Sequence, residues 1–182
     1  MEIALGCSGK RVRVIEDCLN GRRTVWEDPF RAGRNGLTGL AQRIEINAPL
    51  ALVILMLGTN DFQSTRERDA WLSSQGIGSL ISAIRAAPIE PGMSAPQILV
   101  VAPPEIRAAK GPLAAKFKDA EIKSAGLASA YKKVSEEAGC HFFDAASVVT
   151  TCQADGVHLD VGDHAILGKE LSQRVDALLT GG

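Results

Sequence analysis

No block of like charge runs through this chain. Its 20 lysines and arginines nearly balance 21 aspartates and glutamates, for a net charge of −1. The basic footprint that nucleic acid or an anionic membrane demands is therefore missing, and neither partner is expected. A long apolar run is missing too. The longest stretch, residues 48–57, is too short to span a bilayer. The opening residues Met-Glu-Ile-Ala-Leu-Gly lack the basic region that precedes the apolar part of a signal peptide. Cysteine is scarce: Cys7, Cys18, Cys140 and Cys152 show no CxxC spacing and no histidine cluster, and Cys140-His141 stands alone. Neither a zinc site nor a disulfide framework is supported, so a reduced, cytoplasmic protein without metal or cofactor is the expectation. Nucleotide-binding signatures are missing as well. No Gly-x-Gly-x-x-Gly follows a strand, no P-loop occurs, and Gly76-Ile77-Gly78 falls inside a helical stretch. There is no Gly-x-Ser-x-Gly elbow, no internal repeat and no low-complexity tract.

What is present is ordinary for a globular protein: 182 residues, 46% of them apolar and 23% charged. One domain spanning 1–182 is expected, with a core that needs no staple. Strand and helix signals alternate. Residues 11–16 alternate polar and apolar, as a strand does, and 17–35 read as loop. Residues 37–47 carry a helical stripe of Leu37, Leu40, Ala41 and Ile44. Residues 52–57 are uninterruptedly apolar, which suits a strand buried on both faces. A helix is expected over 69–87, and a buried strand over 97–102, stopped by Pro103-Pro104. A helix over 118–139, with Ile122, Leu127, Tyr131 and Val134 inward, precedes a short strand at 141–144. An amphipathic helix over 163–179 closes the chain. This alternation predicts an α/β protein with a parallel sheet and helices on both faces.

Three segments suggest chemistry. Gly58-Thr59-Asn60-Asp61 follows a buried strand, where open α/β sheets bind their ligands. An asparagine amide there can donate to a developing oxyanion, although Asn60 and Asp61 can equally form an Asx turn. Asp155-Gly156-Val157-His158 sets a carboxylate three residues before an imidazole. In one turn it can accept from Nδ1–H and leave Nε2 free as a base. An incidental surface histidine is the other reading. Gly21 sits in an Asn-Gly turn, where a backbone N–H can face an oxyanion unobstructed, although taken alone it reads as an ordinary turn glycine. His141 and His164 read as structural or solvated residues.

In order and spacing these segments resemble the blocks of the SGNH, or Gly-Asp-Ser-Leu, hydrolase family, and particularly its arylesterase/acyltransferase-like members. Residues 14–24 resemble its second block, 55–61 its third and 155–158 its fifth. The resemblance implies a three-layer, flavodoxin-like parallel sheet. It implies a serine ester hydrolase or acyltransferase acting on small short-chain acyl or aryl esters without a cofactor, and is compatible with a homo-oligomer. His158 would be the general base and Asp155 its orienting partner. Asn60 and the Gly21 N–H would form the oxyanion hole, with Gly58 and Asp61 shaping the supporting turn. One part of the pattern is not found. The family's first strand, which carries the nucleophilic serine, and most of its first helix have no counterpart before residue 14, and residues 1–5 read as the end of that helix. An N-terminally truncated domain is the expectation, one that is unstable by itself, or re-pairs 12–16 with 52–57, or fills the gap with another chain. Ser8, with Gly6-Cys7-Ser8-Gly9 as a degenerate nucleophile turn, is the alternative nucleophile. A non-catalytic, ligand-binding remnant of the same fold is the competing reading.

Overall fold

The structure, a computed structural model, describes residues 1–7 and 12–180. Three strands form its sheet: β1 (Leu52–Leu55), β2 (Gln97–Ala102) and β3 (His141–Asp144). All pair in parallel, in the order β1-β2-β3. The register sets Ile54 beside Leu99 and Val101 beside Phe143. Side chains alternate across a strand, and on β2 both faces are buried. Ile98, Val100 and Ala102 enter one apolar cluster, while Leu99 and Val101 enter another. That two-sided burial accounts for the unbroken apolar run in the sequence, and it makes the fold a three-layer α/β sandwich.

One layer holds α2 (Leu40–Asn47), α3 (Ala70–Arg85) and α5 (Leu127–Glu137). Helix α3 begins where the Asp69 carboxylate accepts from the Leu72 N–H at 2.8 Å, an N-cap. It buries Ser73, Ile77, Leu80, Ile81 and Ile84, the three- and four-residue spacing of one helical face. Each such aliphatic side chain contributes roughly 1.5–3 kcal/mol when fully buried. The opposite layer is α6 (Val161–Thr180), with α1 (Glu2–Cys7) against it. Leu167 of α6 joins Leu99, Val101 and Phe143 in the second cluster, and the Arg174 guanidinium lies 3.8 Å from the Phe143 ring centre.

Two expected elements differ. Residues 12–16 form no strand among the described residues. The Val14 N–H donates to Glu2 Oε2 at 2.6 Å rather than to a ladder. Alternation alone does not make a strand: Ile15 is 42% exposed, so no core face rewards pairing with β1. The helix expected over 118–139 is two pieces, α4 (Ala120–Lys123) and α5. Gly126 takes φ 79° between them, a left-handed conformation that ends a helix. The break turns Ile122 outward, to 72% exposure, whereas Leu127 and Tyr131 are buried as expected. The remaining strands and helices fall within a few residues of their expected places.

Candidate active site

Parallel strands deliver the ends of their connecting loops to one edge of the sheet. Beyond β1, a 3-10 turn (Thr59–Phe62) presents Asn60 and Asp61. Gly58 precedes it with φ 129°, and a Cβ at this position would lie 2.3 Å from the Tyr131 hydroxyl oxygen. No other residue fits here without moving α5. The Tyr131 hydroxyl donates to the Leu57 carbonyl at 3.1 Å and lies 2.7 Å from Ser73 Oγ.

Asp61 is fully buried. Its carboxylate accepts from the Thr24 N–H and the Thr24 hydroxyl, both at 2.9 Å, and from the Ser73 hydroxyl at 2.7 Å. Burial pushes its pKa up. The Ser73 and Thr24 donors and the Arg68 guanidinium pull against that. The carboxylate thereby joins three segments that are remote in the chain: the 17–35 loop, the turn after β1, and α3. Gly76 completes the joint, because a Cβ there would lie 2.3 Å from Thr24 Oγ1. The loop packs against the helix where that helix has no side chain.

Asn60 is half-buried. Its Oδ1 accepts from Gln63 Nε2 at 2.7 Å. Gln63 Oε1 in turn accepts from Arg23 Nη2 at 2.8 Å. Arg23 is fully buried and pairs with Asp28 at 3.3 Å. No hydrogen bond among the described residues uses Asn60 Nδ2 or the Gly21 N–H. Gly21 has φ 80°, a conformation open to glycine at no steric cost. Arg34 Nε lies 3.7 Å, and Arg31 Nη1 4.0 Å, from the point where its Cβ would be. The surroundings of this turn are therefore cationic.

The second half lies beyond β3. Asp155 Oδ2 is 2.8 Å from His158 Nδ1, and Asp155 Oδ1 accepts from the N–H groups of Val157 (2.8 Å) and His158 (2.9 Å). Partial desolvation pushes the Asp155 pKa up. The two backbone donors and then the imidazole outweigh that push and bring it down to about 2, so this carboxylate stays ionised at neutral pH. An ionised acceptor at Nδ1 requires the Nδ1–H tautomer and leaves Nε2 with its lone pair. The His158 side chain is 63% exposed, open to a reacting group. Gly156, at φ 79°, lets the turn pass the Ala108 carbonyl, which a Cβ would approach to 2.7 Å.

No hydrogen bond joins the Asp155–His158 pair to Asn60 or Gly21 among the described residues. The loop after β2 links the two halves. Arg107 N–H donates to the Gly156 carbonyl at 2.8 Å and Lys110 N–H to the Asp155 carbonyl at 3.0 Å. On the other side Ser64 N–H donates to the Lys116 carbonyl at 2.8 Å. Of the expected site residues, Gly58, Asn60 and Asp61 share one turn, Asp155 and His158 share another, and Gly21 is tied to the first through Thr24. Ser8 lies outside the described residues. Sequence reasoning missed Arg23, Thr24, Gln63, Ser73 and Tyr131. Only Gln63 left a local trace, three residues beyond Asn60. Among the described residues no group of three or more His, Cys, Asp or Glu side chains could hold a metal ion, and no helix is long and apolar enough to cross a membrane.

The model of the GDSL-like lipase/acylhydrolase family matches residues 2–165. The fold superimposes on the inhibitor-bound aryl esterase of M. smegmatis with a TM-score of 0.90 and 31% identity, covering 96% of this chain and 83% of that one. A carbohydrate acetylesterase from Sinorhizobium meliloti gives 0.89 and 33%, covering 97% and 82%. None of the curated proteins matches the chain.

Proposed function

We propose, from the premise that the chain belongs to the GDSL-like lipase/acylhydrolase family and is a carboxylic ester hydrolase, that it cleaves small short-chain acyl esters, aryl and carbohydrate acetates among them. The observation that carries this is the 2.8 Å contact between an ionised Asp155 and His158 Nδ1. Asp155 holds the imidazole with Nε2 as the base. Nε2 takes the proton of an attacking hydroxyl as its oxygen bonds to the ester carbonyl carbon. The charge developing on the carbonyl oxygen takes hydrogen bonds from Asn60 Nδ2 and the Gly21 N–H. His158 then returns the proton to the leaving alcohol. Water releases the acyl group by the same steps, or an alcohol accepts it in transfer.

The attacking hydroxyl is the unassigned member. No serine among the described residues is hydrogen-bonded to His158, which favours a second reading, a scaffold that binds esters without turning them over. Two measurements separate the readings. Turnover of 4-nitrophenyl acetate, abolished by His158→Ala, supports the esterase; turnover untouched by that change removes His158 from the mechanism. Fluorophosphonate labelling mapped by mass spectrometry identifies the serine. A labelled Ser8 assigns it as the nucleophile. Labelling of no serine, with no turnover, leaves the binding reading.

A further inference from the structure

Asn60 can serve an oxyanion only if Nδ2, not Oδ1, faces the substrate. An amide is nearly symmetric in shape, so packing alone does not choose between the two. We infer that Arg23 and Gln63 make the choice, as positioning residues that fix the polarity of Asn60. The inference rests on Asn60 being an oxyanion donor.

The logic follows donor chemistry. A guanidinium is always charged and can only donate. The Gln63 atom 2.8 Å from Arg23 Nη2 must therefore be the carbonyl Oε1. That places Gln63 Nε2 toward Asn60, and an amide nitrogen also only donates. The Asn60 atom 2.7 Å from it must then be Oδ1. Nδ2 is consequently the end left over, and no hydrogen bond among the described residues occupies it. Polarity passes from one fixed charge through two amides in series. The charge itself is held. Arg23 is wholly buried, paired with Asp28 at 3.3 Å and donating to the Glu27 carbonyl at 3.2 Å and to Thr65 Oγ1 at 3.3 Å. Gln63 is 1% exposed, so water does not compete for either end.

Gln63→Glu tests this, because it changes polarity and almost nothing in shape. The carboxylate still accepts from Arg23 but has no proton for Asn60. Asn60 must then turn its amide, donating Nδ2 to Glu and presenting Oδ1 to the substrate. With [15N]asparagine-labelled protein, the wild-type Asn60 side-chain amide should exchange its protons freely. In Gln63→Glu it should shift downfield and exchange about tenfold more slowly. An unchanged amide signal overturns the inference whether or not the protein turns over substrate. In turnover of 4-nitrophenyl acetate, Gln63→Glu should lower kcat about 10²–10³-fold, as losing an oxyanion donor does, with KM little changed. Gln63→Leu, which merely releases Asn60, should cost about three- to tenfold. A purely structural role predicts the reverse order, with Leu worse than Glu. Thermal melts of both variants check that each is folded. If Asn60→Ala leaves turnover intact while Gln63→Glu still turns the amide, the esterase role of Asn60 fails and the polarity relay stands.

Discussion

The two halves of this site are built by opposite means. Asp155 and His158 lie three residues apart, and one turn brings them together, stabilised by backbone donors from the same turn. Asn60 lies at the end of a chain of buried groups that reaches Gln63, Arg23 and Asp28. Its turn is anchored by Asp61 to Thr24 and Ser73, 37 and 12 residues away. A local, exposed pair should be dispensable for folding and indispensable for chemistry. A buried, long-range network should couple the two.

The sharpest way to break this contrast is Asp155→Asn. Its Oδ1 can still accept from Val157 and His158. Its amide nitrogen, however, donates to Nδ1 where the carboxylate accepted, which leaves the proton on Nε2 and removes the base. Turnover should fall about 10⁴-fold, as wrong-tautomer variants of such dyads do, while the protein stays folded and loses only the solvent-screened stability that the carboxylate contributes. A large loss of stability would show that the pair is structural as well.

Asp61→Ala should act the other way round. It strands the Thr24 N–H and the Thr24 hydroxyl in a dry interior, at about 1–3 kcal/mol for each unpaired group, while the Ser73 hydroxyl keeps Tyr131 as a partner. Denaturant unfolding should report a loss of at least about 2 kcal/mol, and turnover should fall only as the Asn60 turn loosens. Next in size is Tyr131→Phe, which removes the hydroxyl between Leu57 and Ser73. About 1 kcal/mol is expected, read as a lower unfolding midpoint with the helix content unchanged.

The smallest effect is on acid stability. The Asp155 pKa is lowered on folding from 3.8 to about 2, so between those values the unfolded chain binds more protons than the folded one. Stability contributed by this group is complete above about pH 4 and is lost as pH falls toward 2. Asp155→Asn should flatten that part of the pH–stability curve. An unchanged slope would mean that the turn is not formed in solution. Asp61, raised by burial, has the opposite sign: its contribution is greatest at low pH and declines as the pH rises through its folded pKa.

Much of this organisation was legible in the chain, and what was legible was local. The apolar runs gave away β1 and β2, because both pack against apolar clusters on either side and leave no polar position to show, although β1 is only half-buried over Leu52, Val53 and Ile54. The Asp-x-x-His spacing gave away the dyad, because three residues suffice to close it. Residues 12–16 misled, since their alternation matches a strand but none of their side chains is buried and Arg13, Ile15 and Glu16 are exposed. The long helix expected over 118–139 misled as well, because one glycine can end a helix without disturbing the apolar stripe on either side. Arg23 and Gln63 gave no warning. An arginine in a polar loop reads as solvated until the fold encloses it, and their contact spans 40 residues.

Most of the elements, their alternation, and the Asp155–His158 contact, which a single turn can make, were thus written locally in the chain. Which loop residues became buried donors, how the turn carrying Asn60 is held, and which end of its amide is left over follow only from the assembled fold. The physical reason is distance. Backbone conformation and hydrophobic period act over a few residues and leave their mark in the chain. Burial and the obligation of every buried polar atom to find a partner act between segments that only the finished fold brings together.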